Sequence, residues 1–244
     1  MDHRALGVNQ DRDGSVQRLT LPGGALGPRV AAELGTALAA LAEDRAVRVV
    51  VVDAASDFCD GPSPELDPHA FVPDPAASLA RIRVPVVAVV TGACRSVGLE
   101  LALCADIRVA DPTARFALDD VRSGRLPSWG GTQRLPRVVG TSRATEMVLL
   151  GRDLDASEAL ACGLVHSVDD DPRGRARQVV DELLSVGPLA LELAKEAVHR
   201  GAELPLRDGL RLEGDLNTLL QSSADRAEGL AAFFAKRPPD FAGR

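Results

Sequence analysis

The sequence predicts an α/β fold organised on parallel strands. Three observations carry that prediction. Short β-branched runs alternate with segments of helical periodicity, the pattern of strand–crossover–strand units. The run Arg48-Val-Val-Val-Val-Asp53 lacks the apolar/polar alternation of a strand wetted on one side, so it reads as a strand buried on both faces. Finally, 244 residues that are 45% hydrophobic suit one large domain, or one domain with a C-terminal appendage. Such a chain buries a core without disulfides or metal staples.

Taken in order, residues 15–21 form a first strand. Residues 28–44 form a helix, because Val30, Leu34, Leu38 and Leu41 share one face and Pro28 suits a first turn. The strand at 48–53 follows. The segment 57–75 holds five prolines and is expected to be largely irregular. A short helix at 74–83 precedes a second buried strand at 85–91. A loop at 92–96 leads into a helix at 97–104, and short strands follow at 106–110 and 114–118.

Helices dominate from there. One spans 141–150. Asp155-Ala-Ser-Glu158 has capping-box spacing for another, which Gly163 ends before a last strand at 164–168. After Gly187-Pro188 come helices near 189–200, 206–221 and 224–236, with Asp225 and Glu228 expected to stabilise the first turn of the last one. The division expected is therefore a core at 1–187 and a helical region at 188–244.

Composition excludes several function classes. Aromatics are 3% of the chain, six Phe and one Trp with no Tyr, which leaves little with which to stack single-stranded bases. A net charge of -7 argues against sequence-independent binding to nucleic acid. Cysteines 59, 94, 104 and 162 form no CxxC pair and have no nearby His, so no metal site is expected. The start of the chain lacks an apolar signal region, and the runs at 49–52 and 84–90 are too short to span a membrane, so a cytoplasmic protein is expected. Histidines 3, 69, 166 and 199 do not cluster, and His69 reads as a surface loop residue. There is no GxSxG, P-loop or dinucleotide fingerprint.

Four ordered segments stand apart: Val47-Arg-Val-Val-Val-Val-Asp-Ala-Ala-Ser-Asp-Phe-Cys-Asp-Gly61; Pro85-Val-Val-Ala-Val-Val-Thr-Gly92 with Gly98-Leu-Glu-Leu-Ala-Leu-Cys-Ala-Asp106; Gly130-Gly-Thr-Gln-Arg-Leu-Pro-Arg-Val-Val-Gly140; and Glu228-Gly-Leu-Ala-Ala-Phe-Phe-Ala-Lys-Arg237. In this order they resemble the enoyl-CoA hydratase/isomerase (crotonase) family from about the first strand to the last residue. The resemblance implies a spiral of ββα turns with a C-terminal helical trimerisation region, assembled as a homotrimer or dimer of trimers. It implies an acyl-CoA thioester as substrate, with coenzyme A part of that substrate and no separate cofactor.

The chemistry such a site must perform is general. A thioester carbonyl gains negative charge when its neighbouring carbons react, backbone N–H groups stabilise that oxyanion, and carboxylates move the protons. By resemblance Glu100, one turn into a helix, is the principal acid/base; its plain reading is a first-turn Glu favoured by the helix dipole. Asp120 matches the second acid, where the family has Pro-Glu and this chain has Asp119-Asp120, one methylene shorter; its plain reading is a turn residue. The oxyanion donors fall on Val97 and on Pro62, which has no N–H, so a local shift to the N–H of Gly61 or Ser63 is the remaining route. Ser96 and Val97 stand in a loop that is Gly-rich in the family, and they narrow or reshape the pocket.

Substrate contacts implied by the match are Asp60, Ser63, Pro64 and Glu65 after the oxyanion turn, and Gly98 beside Val97. Leu126, Pro127, Trp129 and Gly130 match the loop lining the acyl pocket, although Trp129 is equally readable as a buried structural residue. Phe233 and Lys236 match positions that approach the CoA nucleotide; alone they read as a core Phe and a solvated Lys. The first-strand loop Leu21-Pro-Gly-Gly-Ala-Leu26 is shorter than the family's and lacks its Arg and Asn. Together with Pro62 and Asp120, it opens an alternative: a catalytically impaired acyl-CoA-binding or assembly subunit on the same fold.

Overall fold

A computed structural model describes residues 5–11 and 14–243; His3 lies outside them. The chain divides into two compact units, residues 1–82 with 86–178 and residues 83–85 with 179–244.

The first unit is built on two sheets. The larger has six strands in the order β1-β2-β3-β4-β6-β9: β1 (Gly7–Asp11), β2 (Val16–Leu21), β3 (Val49–Ala54), β4 (Val86–Val90), β6 (Ile107–Ala110) and β9 (Ser167–Val168). Every pairing in it is parallel except the β1–β2 hairpin. The smaller sheet joins β5 (Ala93–Arg95), β7 (Arg115–Ala117) and β8 (Leu154–Asp155). Isolated parallel bridges carry this second layer back to Cys59↔Cys94 and Leu26↔Pro62.

These bridges show how the chain winds. Strand β2, the extended residue Leu26 and helix α1 (Pro28–Glu43) make one turn. Strand β3, the extended stretch through Cys59 and Pro62, and α2 (Pro75–Ala80) make the next. Strands β4 and β5 with α3 (Val97–Ala102) make a third. Backbone bonds tie each turn to its neighbour: Leu26 N to Gly61 O at 2.8 Å, and Cys59 N to Ala93 O at 2.8 Å. The result is the expected ββα spiral.

Burial explains the strands. All of β3 and β4 is buried, so no alternation survives in the sequence. In α1 the predicted face Val30, Leu34, Leu38 and Leu41 is the buried face. The capping box is present as read, with Glu158 N donating to Asp155 Oδ1 at 2.8 Å and Asp155 N to Glu158 Oε2 at 3.1 Å, at the start of α6 (Ala156–Ala161).

Several expectations are corrected. The edge strand β1 precedes the predicted first strand. The predicted loop at 92–96 contains strand β5, because Arg95 N donates to Cys59 O and Ser96 N to Ala117 O, both at 2.9 Å. Helices α4 (Gly131–Val139) and α7 (Pro172–Leu184) occupy segments with no predicted element, while α5 (Thr141–Leu150) falls where expected. The segment 57–75 is largely irregular as expected, with a single 3-10 turn at Pro68–Ala70.

The second unit contains α8 (Pro188–Gly201), α9 (Leu206–Gln221) and α10 (Ala224–Ala235). Asp225 lies in the first turn of α10 as expected, and both Asp225 and Glu228 also hold the C-terminal tail. Asp225 Oδ1 accepts the N–H groups of Ala242 and Gly243 at 2.7 and 2.9 Å. Glu228 pairs with Arg237 at 2.6 Å and accepts Asp240 N at 2.8 Å. Among the described residues, no helix is long and apolar enough to cross a membrane.

Candidate active site

Two carboxylates predicted from sequence are both buried in the first unit. Glu100 is 0% exposed and Asp120 6%. Glycine makes the position of Glu100 possible. A Cβ on Gly98 would stand 2.5 Å from Cys59 Cβ, so only glycine lets α3 pack this closely against the neighbouring turn. Gly98, expected at the substrate, serves that packing contact.

Glu100 Oε1 accepts two backbone N–H groups at the entrance to α4, Trp129 at 2.8 Å and Gly131 at 2.7 Å. Its Oε2 is buried with no hydrogen-bond partner among the described residues. Burial pushes the Glu100 carboxyl up to about 7. The N–H donors of Gly131 and Trp129 oppose that rise, and the negative charge of Asp120 adds to it. Glu100 is therefore poised between acid and base near neutrality.

The backbone donors at Trp129 and Gly131 escaped the sequence reading, since main-chain groups leave no side-chain signature. Gly131 offers a signal in retrospect: a Cβ there would meet Glu100 Oε1 at 3.0 Å and Leu118 Cδ1 at 2.8 Å. Trp129 is a buried structural residue as well as a donor. Its indole N–H reaches Pro68 O at 3.0 Å, and its ring meets Phe71 edge-on at 6.5 Å between centroids.

Asp120 opens a 3-10 turn, Asp120–Ser123. Its Oδ1 accepts the hydroxyl of Ser96 at 2.5 Å, while its Oδ2 is buried without a partner among the described residues. The neighbouring Asp119 is drawn away by Arg95, which binds it at 2.6 Å and Asp153 at 2.7 Å. Asp120, Ser96, Gly61 and Pro62 line one cavity of about 290 Å³, together with Asp60, Arg95, Asp119, Arg122, Ser123 and Arg125. Glu100 is not in its lining.

The loop at 61–63, where an oxyanion donor is expected, resolves one alternative. Ser63 N donates to Leu26 O at 2.8 Å, so it is committed and does not replace a donor missing at Pro62. Leu26 binds Gly61 O and Ser63 N on one edge of this extended stretch, which turns the position-62 nitrogen to the opposite edge. Val97, the first residue of α3, has an N–H group with no acceptor among the described residues, whereas the N–H of Gly61, at φ +100°, faces the Cys59 sulfur.

Of the other expected contacts, Asp60, Pro64 and Glu65 are exposed, and Pro127 is buried. Gly130 caps α4 at φ +94°. Leu126 is exposed at 71%. Phe233 and Lys236 belong to the second unit; Phe233 is exposed at 77%, which removes its reading as a core residue, and it packs edge-on against Phe234.

Comparison with known proteins follows the same lines. The family model for enoyl-CoA hydratase/isomerase matches residues 15–244. The chain is 37% identical over 238 residues to human enoyl-CoA hydratase domain-containing protein 2, mitochondrial, covering 90% of this chain and 82% of that protein. It is 43% identical over 170 residues to the 2,3-dehydroadipyl-CoA hydratase of Escherichia coli K12, covering 69% and 67%. Among solved structures, an enoyl-CoA hydratase from Bacillus anthracis superposes with a TM-score of 0.89 at 30% identity, covering 98% of this chain and 99% of that one.

Proposed function

The chain belongs to the enoyl-CoA hydratase/isomerase family, and from that premise we propose that it adds water across the double bond of a 2-enoyl-CoA thioester. The observation that carries the proposal is the pair of buried carboxylates, Glu100 with its proton affinity raised to about 7 and Asp120 with an unpartnered oxygen.

Asp120 Oδ2 holds the attacking water and takes one of its protons as oxygen bonds to Cβ. The π electrons move toward the thioester carbonyl, and the N–H group of Val97 stabilises the enolate oxygen. Glu100 then delivers its proton to Cα, and exchange with solvent restores both carboxyls. The balance is one water added, with no change of redox state and no cofactor beyond the coenzyme A of the substrate. Double-bond migration would pass through the same enolate, with Glu100 moving the proton.

One observation favours a second reading, an acyl-CoA-binding or assembly subunit of low activity. Pro62 lacks an N–H, and the Ser63 N–H is already used by Leu26. A panel of 2-enoyl-CoAs at micromolar enzyme separates the readings, with products resolved by mass spectrometry. Hydrated product from any member establishes the hydratase. Binding without conversion across the whole panel establishes the second reading.

A further inference from the structure

Ser96 occupies a backbone conformation that side chains avoid. Its φ of 47° and ψ of -123° lie in a region where glycine is favoured and other residues carry strain. Neither neighbour relaxes it. Ser96 N is fixed to Ala117 O at 2.9 Å, and its carbonyl accepts Glu100 N at 3.0 Å. The side chain is nonetheless not idle: it is 4% exposed, and its hydroxyl donates to Asp120 Oδ1 at 2.5 Å.

A hydroxyl bonded to a carboxylate in a buried setting is among the stronger hydrogen bonds a neutral donor makes. It also fixes a rotamer. With Oδ1 tied to Ser96, rotation of the short Asp120 side chain is arrested and Oδ2 is left as its one unpartnered acceptor. Glycine at position 96 would relieve the backbone and release Asp120.

We propose that Ser96 is a positioning residue that aims the Asp120 carboxylate at the attacking water, so that serine and aspartate act as one unit. This inference rests on the hydratase reading of Asp120. The serine hydroxyl holds one carboxylate oxygen at a fixed place, and the other oxygen is thereby set for water. A glutamate at 120, one methylene longer, would reach into the volume vacated by the hydroxyl and need no such support.

The test is a double-mutant cycle on the full chain: Ser96→Gly, Asp120→Glu and the two combined. Steady-state hydration and thermal melting are measured for each. Ser96→Gly is expected to lower kcat about ten- to hundred-fold, in the range for a misplaced reacting group, with KM unchanged and a melting temperature close to wild type, because relief of backbone strain offsets the lost buried hydrogen bond. The combined variant is expected to recover much of that loss, whereas independent effects would multiply. Unchanged kcat in Ser96→Gly overturns the inference while leaving the hydratase intact. So does a loss of kcat that tracks a loss of melting temperature and is not recovered in the combined variant. Absence of wild-type turnover on every 2-enoyl-CoA removes the functional reading and this inference with it.

Discussion

Replacing Glu100 with glutamine tests the buried acid through stability as well as rate. In the unfolded chain Glu100 ionises near 4.5, and in the fold it keeps its proton until about 7. Between those values the folded protein binds more protons than the unfolded chain, so stability falls as pH rises. At about 1.4 kcal/mol per pH unit, the ionised carboxylate costs up to about 3 kcal/mol once pH exceeds the folded value. Below pH 4.5 that cost is absent. Glutamine keeps the shape, and its Oε1 still accepts the N–H groups of Trp129 and Gly131, but it carries no charge at any pH. Glu100→Gln is therefore expected to match wild type near pH 4. Near pH 8 it should be more stable by up to about 3 kcal/mol, roughly 6–12 °C in melting temperature for a chain this size. Hydration should be abolished in the same variant. Thermal melts of both proteins from pH 4 to 8.5 provide the assay. Parallel stability curves for the two proteins would refute a buried, proton-holding Glu100.

Pro62→Ala restores an N–H on the edge opposite Leu26; a gain in kcat/KM of about one to two orders of magnitude is expected, within the range for one oxyanion donor, and no gain means that the oxyanion is held elsewhere. Gly131→Ala drives a methyl to within 2.8 Å of Leu118 Cδ1 and 3.0 Å of Glu100 Oε1. It should cost about 1–3 kcal/mol in chemical denaturation and lower kcat by displacing the Glu100 carboxyl. Asp225→Ala removes the acceptor for the Ala242 and Gly243 N–H groups. The tail beyond Asp240, which Glu228 still holds, should then be trimmed by carboxypeptidase faster than in wild type; equal trimming rates would show that the Asp225 carboxylate does not hold the tail.

What the sequence discloses of this protein follows the range over which each feature is determined. Strand β3 is legible because burial on both faces writes itself as four consecutive valines, and α1 because its buried face repeats at helical spacing. The capping box of α6 is legible because both partners lie within four residues. Strand β5 is not. Its three residues have no strand pattern of their own and become extended through bonds to Cys59, more than thirty positions earlier, and through pairing with β7. Helix α4 begins with glycine and holds Pro136, and α7 opens on Pro-Arg-Gly-Arg, so helix-breaking and polar residues mask the apolar positions that each of them buries. The site divides the same way. Glu100 and Asp120 are found because the segments that hold them resemble those of the enoyl-CoA hydratase/isomerase family, and Glu100 is conspicuous besides as an acid among apolar residues. The groups that determine what those acids do are the Trp129 and Gly131 amides and the Ser96 hydroxyl, and these come from 29, 31 and 24 positions away. Sequence showed Ser96 only as bulk in a loop where glycine was expected. The fold turns that bulk into a hydrogen bond on the Asp120 carboxylate, so the two departures at 96 and 120 meet in one contact.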